Sequence, residues 1–351
     1  MGFFVADGGT GVVGSLMCVL KAPAPRAVNA PCLRIHIRHL SSPPVAAYLR
    51  TLMLPALLTT CLWSCSAICA ARSGRMVGGA AANFTRMLVA AVLLGIWSHV
   101  YGHGLGGPAM PWFFLSGLIG FGFGDLALFS SLQRIGPRLT MLLTHCLAAP
   151  ITTVVAWVWF GDTLGWRDIL CGGVILGGVI LALAPDHGPQ VTRGNFWVGV
   201  LFGIGSAMGQ GFGAVLSRKA FIEADKIGAP VDGGTAAYER ILAGIVVGFV
   251  FYLIMRRTKP EPPAAPGVWP RAWLWIVANA LAGPSIGVAC FQWGLATMQP
   301  GILMPIVATV PVATQFIAWA VDGQRPTART ILGGIIAVTG VAALFVLREG
   351  K

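Results

Sequence analysis

The sequence predicts an all-α membrane protein with ten transmembrane helices, arranged as two inverted five-helix repeats. Three observations predict this fold class: an apolar composition, ten separate apolar segments and an internal repeat. Hydrophobic residues make up 56% of the chain and charged residues only 10%, whereas a soluble domain carries about 25% charged residues. This balance is typical of a chain that lies in a lipid bilayer.

Ten stretches of the chain are apolar enough to cross a bilayer, which takes about 20 mostly apolar residues. The connecting loops are short, and the alternating pattern of barrel strands is missing. We number the stretches as segments 1 to 10, at residues 48–71, 79–100, 110–133, 138–160, 167–184, 195–219, 235–256, 271–295, 301–321 and 329–347.

The second half of the chain repeats the first. FTRML at 84–88 matches YERIL at 238–242, and LAAP at 147–150 matches ATVP at 308–311. The matches keep their order about 160 residues further on, as expected for a duplicated unit. Each unit contains five segments, an odd number, so the second unit enters the membrane from the opposite side. Inverted repeats of this kind are common in secondary transporters.

These patterns set the expected domain organisation. We expect the first repeat at 46–186 and the second at 193–348. The residues before them, 1–45, are rich in proline and arginine and contain Asp7 as their only acid. Such a leader buries too little apolar area to offset its ordering entropy, so we expect it to be disordered or poorly structured.

The net charge of +12 does not indicate a nucleic-acid partner. Basic residues are spread over nearly every loop and form no patch interleaved with aromatic residues. Lys and Arg in loops usually set membrane topology, but here they are balanced between the two faces. An even number of helices places both termini on one side. We take that side as cytoplasmic and the membrane as a bacterial inner membrane.

The order of these features resembles the drug/metabolite transporter superfamily, specifically its ten-helix EamA-type members. Paired positions in the two repeats carry the resemblance: an arginine in segments 2 and 7, a proline in segments 4 and 9, and an acid where segments 4 and 9 end. They are Arg86 and Arg240, Pro150 and Pro311, and Asp162 and Asp322. The resemblance implies a transporter but no particular solute, because the family carries amino acids, other metabolites and drugs.

Ionisable side chains within the segments are the first candidates for function, because a charge at bilayer depth costs about 2.5–3.5 kcal/mol on insertion scales. Asp125 has apolar residues on both sides in segment 3. It is a candidate proton carrier, and the alternative is a structural ion pair with Arg86. His145, Glu239 and Arg240 complete the set that we assign to proton coupling or ion pairing.

Uncharged polar and aromatic residues within the segments are candidates for solute binding, since aromatic walls with a few polar groups suit a small amphipathic solute. We expect them to face a cavity between the repeats, lined by segments 1, 3, 4, 6, 8 and 9. The candidates are Trp63, Ser66, Asn83, Gln210, Tyr238, Gln292 and Trp293.

The chain carries no GxxxxGK[ST] motif, which argues against ATP-driven transport by this chain alone. We expect neither a cofactor nor a metal. The leading hypothesis is a secondary transporter that moves a small metabolite by alternating access with proton coupling. Its partners would be the solute, protons and the bilayer, and the chain would act as a monomer or homodimer. The alternatives are a membrane sensor or assembly factor without transport, and an integral membrane enzyme using Asp125, His145 and Glu239 as acid and base groups.

Overall fold

The computed structural model describes residues 45–184, 193–258, 267–323 and 325–349. Within these residues, nine helical spans are long and apolar enough to cross a membrane, and Ala328–Leu344 forms a shorter apolar helix at the tenth position. The predicted all-helical membrane fold is confirmed. The leader, but for its last residue, lies outside the described residues.

The helices match the predicted segments to within a few residues at most ends. Their bounds are Val45–Val77 for segment 1, Gly79–Val100 for segment 2, Met110 to Phe160 for segments 3 and 4 together, Trp166–Leu183 for segment 5, Arg193–Lys226 for segment 6, Gly233–Thr258 for segment 7, Val268 to Thr297 for segment 8, Pro300 to Asp322 for segment 9, and Ala328–Glu349 for segment 10.

No loop separates segments 3 and 4, because the backbone keeps a helical conformation from Asp125 to Phe160 even where it bends sharply. The chain nevertheless reverses direction there. Ser131 Oγ lies 2.9 Å from Thr140 Oγ1, whereas nine residues of straight helix would separate these positions by about 13 Å. Segments 3 and 4 are therefore two spans that run in opposite directions, joined by a tight turn.

Two short π-helical stretches interrupt segments 3 and 8, which occupy the same place in the two repeats. They run from Leu118 to Gly124 and from Leu281 to Ser285. Their sequences, LIGFGFG and LAGPS, are rich in small residues, and Pro284 lacks a backbone N–H to donate. Sequence periodicity did not predict these stretches. A π-bulge often marks a functional position, and both contribute to the cavity described below.

The repeats also end segments 4 and 9 in the same way. Gly161 and Gly323 each adopt a left-handed conformation, with φ of 71° and 69°, and stop the helix. The two acids named in the resemblance are therefore not equivalent, because Asp162 follows its glycine and Asp322 precedes it. Segment 9 also breaks after Val307 and restarts at Val310 beside Pro311.

Segments 5 and 10 pack backbone against backbone at two glycines. A Cβ atom added to Gly178 would lie 2.5 Å from the backbone nitrogen of Ala337 and 2.6 Å from the carbonyl oxygen of Gly333, and one added to Gly333 would meet the backbone of Ala182. The residue just before Gly178, Gly177, has open space at its Cβ position. Small residues allow such close approach between helices in lipid.

Replacing Gly178 by alanine should therefore separate segments 5 and 10. We expect Gly178→Ala to lower stability by about 1–3 kcal/mol, the range for overpacking a close contact. Gly177→Ala is the matched control and should be neutral or slightly stabilising, since alanine favours helix over glycine by about 1 kcal/mol. Thermal unfolding of the two purified variants checks this. Equal stability of the two variants would contradict the packing.

Candidate functional site: a cavity between the repeats

A cavity of about 840 Å³ lies between the two repeats. Side chains from both repeats line it, including all six predicted segments (1, 3, 4, 6, 8 and 9). The π stretches contribute Phe121 from segment 3 and Gly283 and Pro284 from segment 8. The polar and ionisable side chains in the lining are Ser66, Arg86, Asp125, Thr144, His145, Gln210, Thr314, Gln315, Arg325 and Thr327.

The cavity opens toward one face of the protein. Its lining runs from Trp63 and Gln210, in the middle of their segments, to Ala71 near the end of segment 1 and to Arg325 and Thr327 between segments 9 and 10. Ala71, Arg325 and Thr327 are exposed. We call the face that carries residues 72–78 and 325–327 the open face, and the opposite face the closed face.

A hydrogen-bonded cluster ties segments 2 and 7 together at the closed face. Asp232 accepts bonds from the indole N–H of Trp97 at 3.0 Å, from the backbone N–H and hydroxyl of Thr235 at 3.0 and 2.6 Å, and from the N–H of Gly234 at 2.9 Å. His103 Nδ1 lies 3.5 Å from the same carboxylate. Asp232 thus caps the start of segment 7 and anchors the loop after segment 2.

A second contact at the closed face joins segments 6 and 8. Arg218 donates from Nη1 to the carbonyl oxygens of Leu295 at 2.9 Å and Ala296 at 2.7 Å, near the end of segment 8. A cation suits this position because helix carbonyls there carry partial negative charge. Together the two contacts close the end of the protein opposite the cavity mouth.

Arg86 enters the cavity held by neutral partners. Its Nε donates to Asn83 Oδ1 at 2.8 Å and its Nη1 to Asn279 Oδ1 at 3.3 Å. Asn279 is buried, and its Oδ1 also accepts the hydroxyl of Ser66 at 2.6 Å. These amides orient the guanidinium group without cancelling its charge.

Asp125 lies between two arginines. Its carboxylate interacts electrostatically with Arg86 from the first repeat and with Arg240 from the second. The Arg240 guanidinium packs 5.2 Å from the ring centre of Phe121, and its Nε has no hydrogen-bond partner in the described part of the chain. The centre of the protein therefore brings together two guanidinium groups and one carboxylate.

The cavity gathers six of the candidate residues named from the sequence: Trp63, Ser66, Arg86, Asp125, His145 and Gln210. The remaining six have other surroundings. Asn83 positions Arg86, and Glu239 accepts from the N–H of Gly106 at 3.3 Å on the closed side. Arg240 lies behind Phe121.

The other three candidates lie within segments 7 and 8. Tyr238 packs edge-on against His99 at 5.7 Å between ring centres. Gln292 is fully buried, and its amide nitrogen and oxygen have no partner among the described residues. Trp293 is half-buried and lies beside Gly233.

Sequence analysis did not single out Asn279, Thr144, Gln315 or Arg325. Asn279 could have been found as a polar residue inside an apolar segment, which is unusual in lipid. Thr144 is buried and lines the cavity, and its hydroxyl has no partner among the described residues. Across the described ranges, no three His, Cys, Asp or Glu side chains come together as metal ligands.

The model of the EamA-like transporter family matches the chain twice, at residues 50–184 and 197–346. The chain belongs to the EamA-like transporter family. The two matches follow the two halves of the fold, so the drug/metabolite transporter resemblance is confirmed. No curated protein sequence matches the chain. A solved crystal structure of a protein superposes with a TM-score of 0.66 over 85% of this chain and 97% of that chain, at 20% identity, which shows the shared fold.

The Asp232 cluster predicts a pH-dependent contribution to stability. Burial by itself would raise the pKa of Asp232, but hydrogen bonds from Thr235, Trp97 and His103 outweigh burial, and the pKa is lowered. A carboxyl whose pKa is lowered by folding stabilises the protein above its unfolded pKa, near 3.9, and that stabilisation is lost as pH falls through the folded pKa.

Asp232→Asn should therefore be less stable than the wild type at pH 6, by about 1–3 kcal/mol for bonds to a charged acceptor. The difference should shrink as the pH falls toward 3. Thermal unfolding across this range measures it, with exposed Asp225→Asn as the control. A difference that stays constant with pH would contradict the role of the carboxylate charge.

Proposed function

We propose that this chain is a secondary transporter that moves a small metabolite, such as an amino acid or a drug-like solute, by alternating access. The observation that carries the proposal is the cavity between the repeats, which reaches mid-membrane from one face while the other face is closed. Membership of a family of transporters supports it.

The closed face gives the proposal a physical basis. Both of its contacts consist of hydrogen bonds between side chains and the ends of segments, and each net bond is worth about 0.5–3 kcal/mol. Contacts of this strength can open and reform within a transport cycle. The exchange of an open face for a closed one fits two inverted repeats, because each repeat can adopt the arrangement of the other.

Blocking the cavity should stop transport without unfolding the protein. Ala67 lines the cavity beside Trp63 and Ser66, so Ala67→Trp should abolish solute flux in proteoliposomes. The control is Val92→Trp, an outward-facing position that is 62% exposed, and it should transport as the wild type does. If a well-folded Ala67→Trp variant carries as much solute flux as the control, the cavity is not the transport route.

We further propose that Asp125 couples transport to protons. It lines the cavity at a depth where an ion needs a partner, and it interacts with both repeats through Arg86 and Arg240. A carboxyl placed between two moving halves can exchange a proton in each state. The remaining alternative is that Asp125 serves as a structural partner of the arginines.

Asp125→Asn separates these two roles. As a proton carrier, the variant should fold normally and retain solute exchange, but lose uptake driven by a pH gradient. As a structural partner, it should give less folded protein, because removing one member of a buried charged group costs about 3–5 kcal/mol. Gel filtration and flux with and without a pH gradient distinguish them. Full pH-driven uptake by a well-folded variant would overturn both roles.

A further inference from the structure

The charges around the cavity do not balance. The ionisable side chains in its described lining are Arg86, Asp125, His145 and Arg325. Arg240 lies behind the wall and also interacts with Asp125. Without counting His145, one carboxylate therefore interacts with two deep guanidinium groups, and a third guanidinium lies at the mouth. Excess charge at this depth is costly unless an opposite charge is supplied.

Arg86 is hydrogen-bonded to neutral groups, and Asp125 acts on it through electrostatic attraction. Its two hydrogen bonds go to the amide oxygens of Asn83 and Asn279, which orient it and leave its charge intact. Asn279 is only 1% exposed and is itself fixed by Ser66. Arg86 also lines the cavity. Arg uses a planar fork that matches a carboxylate in two parallel bonds.

A second polar group points to the same kind of ligand. Thr144 is 1% exposed and lines the cavity, and its hydroxyl has no partner among the described residues. A buried hydroxyl left without a partner is costly. A ligand oxygen that reached Thr144 would give this hydroxyl an acceptor.

We infer that the solute is an organic anion whose charged group binds Arg86 and whose apolar part lies against the cavity wall. The apolar wall includes Trp63, Phe121, Leu128 and Val288. Arg240 and Arg325 add attraction for a negative charge and repulsion for a positive one. This inference rests on the proposed transport function and narrows it to a class of solute.

Matched probes of different charge test the inference directly. Hydrocinnamate, hydrocinnamamide and phenylpropylamine share a phenylpropyl skeleton and are an anion, a neutral amide and a cation. Phenylalanine adds a zwitterion with the same ring. Binding of each to the full-length protein in nanodiscs is measured by isothermal titration calorimetry, and flux of each is measured in proteoliposomes.

The wild type should bind hydrocinnamate most tightly and phenylpropylamine least. Arg86→Gln should weaken hydrocinnamate binding about 10- to 100-fold, the effect of losing a bond to a charged group, and should leave hydrocinnamamide binding nearly unchanged. Arg86→Lys keeps the positive charge but lacks the planar fork, so it should weaken hydrocinnamate binding less than Arg86→Gln does. Arg75→Gln removes an exposed arginine near the open face that does not line the cavity, and it should bind as the wild type does.

Several outcomes would overturn the inference. Three results with the wild type would each overturn it, whether or not the variants fold. These are equal binding of the three matched probes, no binding of hydrocinnamate, and tighter binding of phenylalanine than of hydrocinnamate. Unchanged hydrocinnamate binding in folded Arg86→Gln would do so as well.

The flux arm separates this inference from the transport proposal. Selective, Arg86-dependent hydrocinnamate binding without flux of any probe would uphold the anion site and overturn transport. Flux of phenylpropylamine in preference to hydrocinnamate would uphold transport and overturn the anion site.

Discussion

Close backbone contact between segment 3 and its neighbours is the constraint on which the rest of the structure depends. A Cβ atom at Gly117 would overlap the backbone carbonyl of Arg240, and one at Gly209 would lie 2.5 Å from Gly124. No side chain separates these helices. The contact places Arg240 of the second repeat within electrostatic range of Asp125 of the first. Without this contact, Arg240 would lie too far from Asp125 to interact with it.

The same contact region shows how a symmetric frame carries an asymmetric site. Segments 3 and 8 share a π-helical stretch at the same place, and segments 4 and 9 share a glycine stop. Yet the residue that follows the π stretch is Asp125 in the first repeat and Ile286 in the second. Two matching frames therefore surround one polar site, because the residues at equivalent positions differ.

The cavity and the closed face together describe one conformation, which is open at one face and closed at the other. On the open side, Arg86 and Asp125 are reached through a lining that ends at exposed Arg325 and Thr327. On the closed side, Asp232 and Arg218 join the ends of segments 2, 7, 6 and 8. A solute that neutralises the excess positive charge would shift the equilibrium between this conformation and one that opens at the other face. Ligand binding shifts a conformational equilibrium by the difference in its affinity for the two states.

The number and placement of the segments, and their duplication, follow from the order of the amino acids alone. Each helix in lipid must satisfy its own backbone hydrogen bonds, so an apolar run of sufficient length is enough to predict a span. Gln210 and Gln292 show where this reasoning ends: both are amides inside apolar segments, but only Gln210 lines the cavity. Likewise, Asn83 and Asn279 meet at Arg86 although they belong to different repeats. These groupings could not be predicted from the sequence, because the face that a helix turns toward its neighbours depends on packing between segments far apart in the chain.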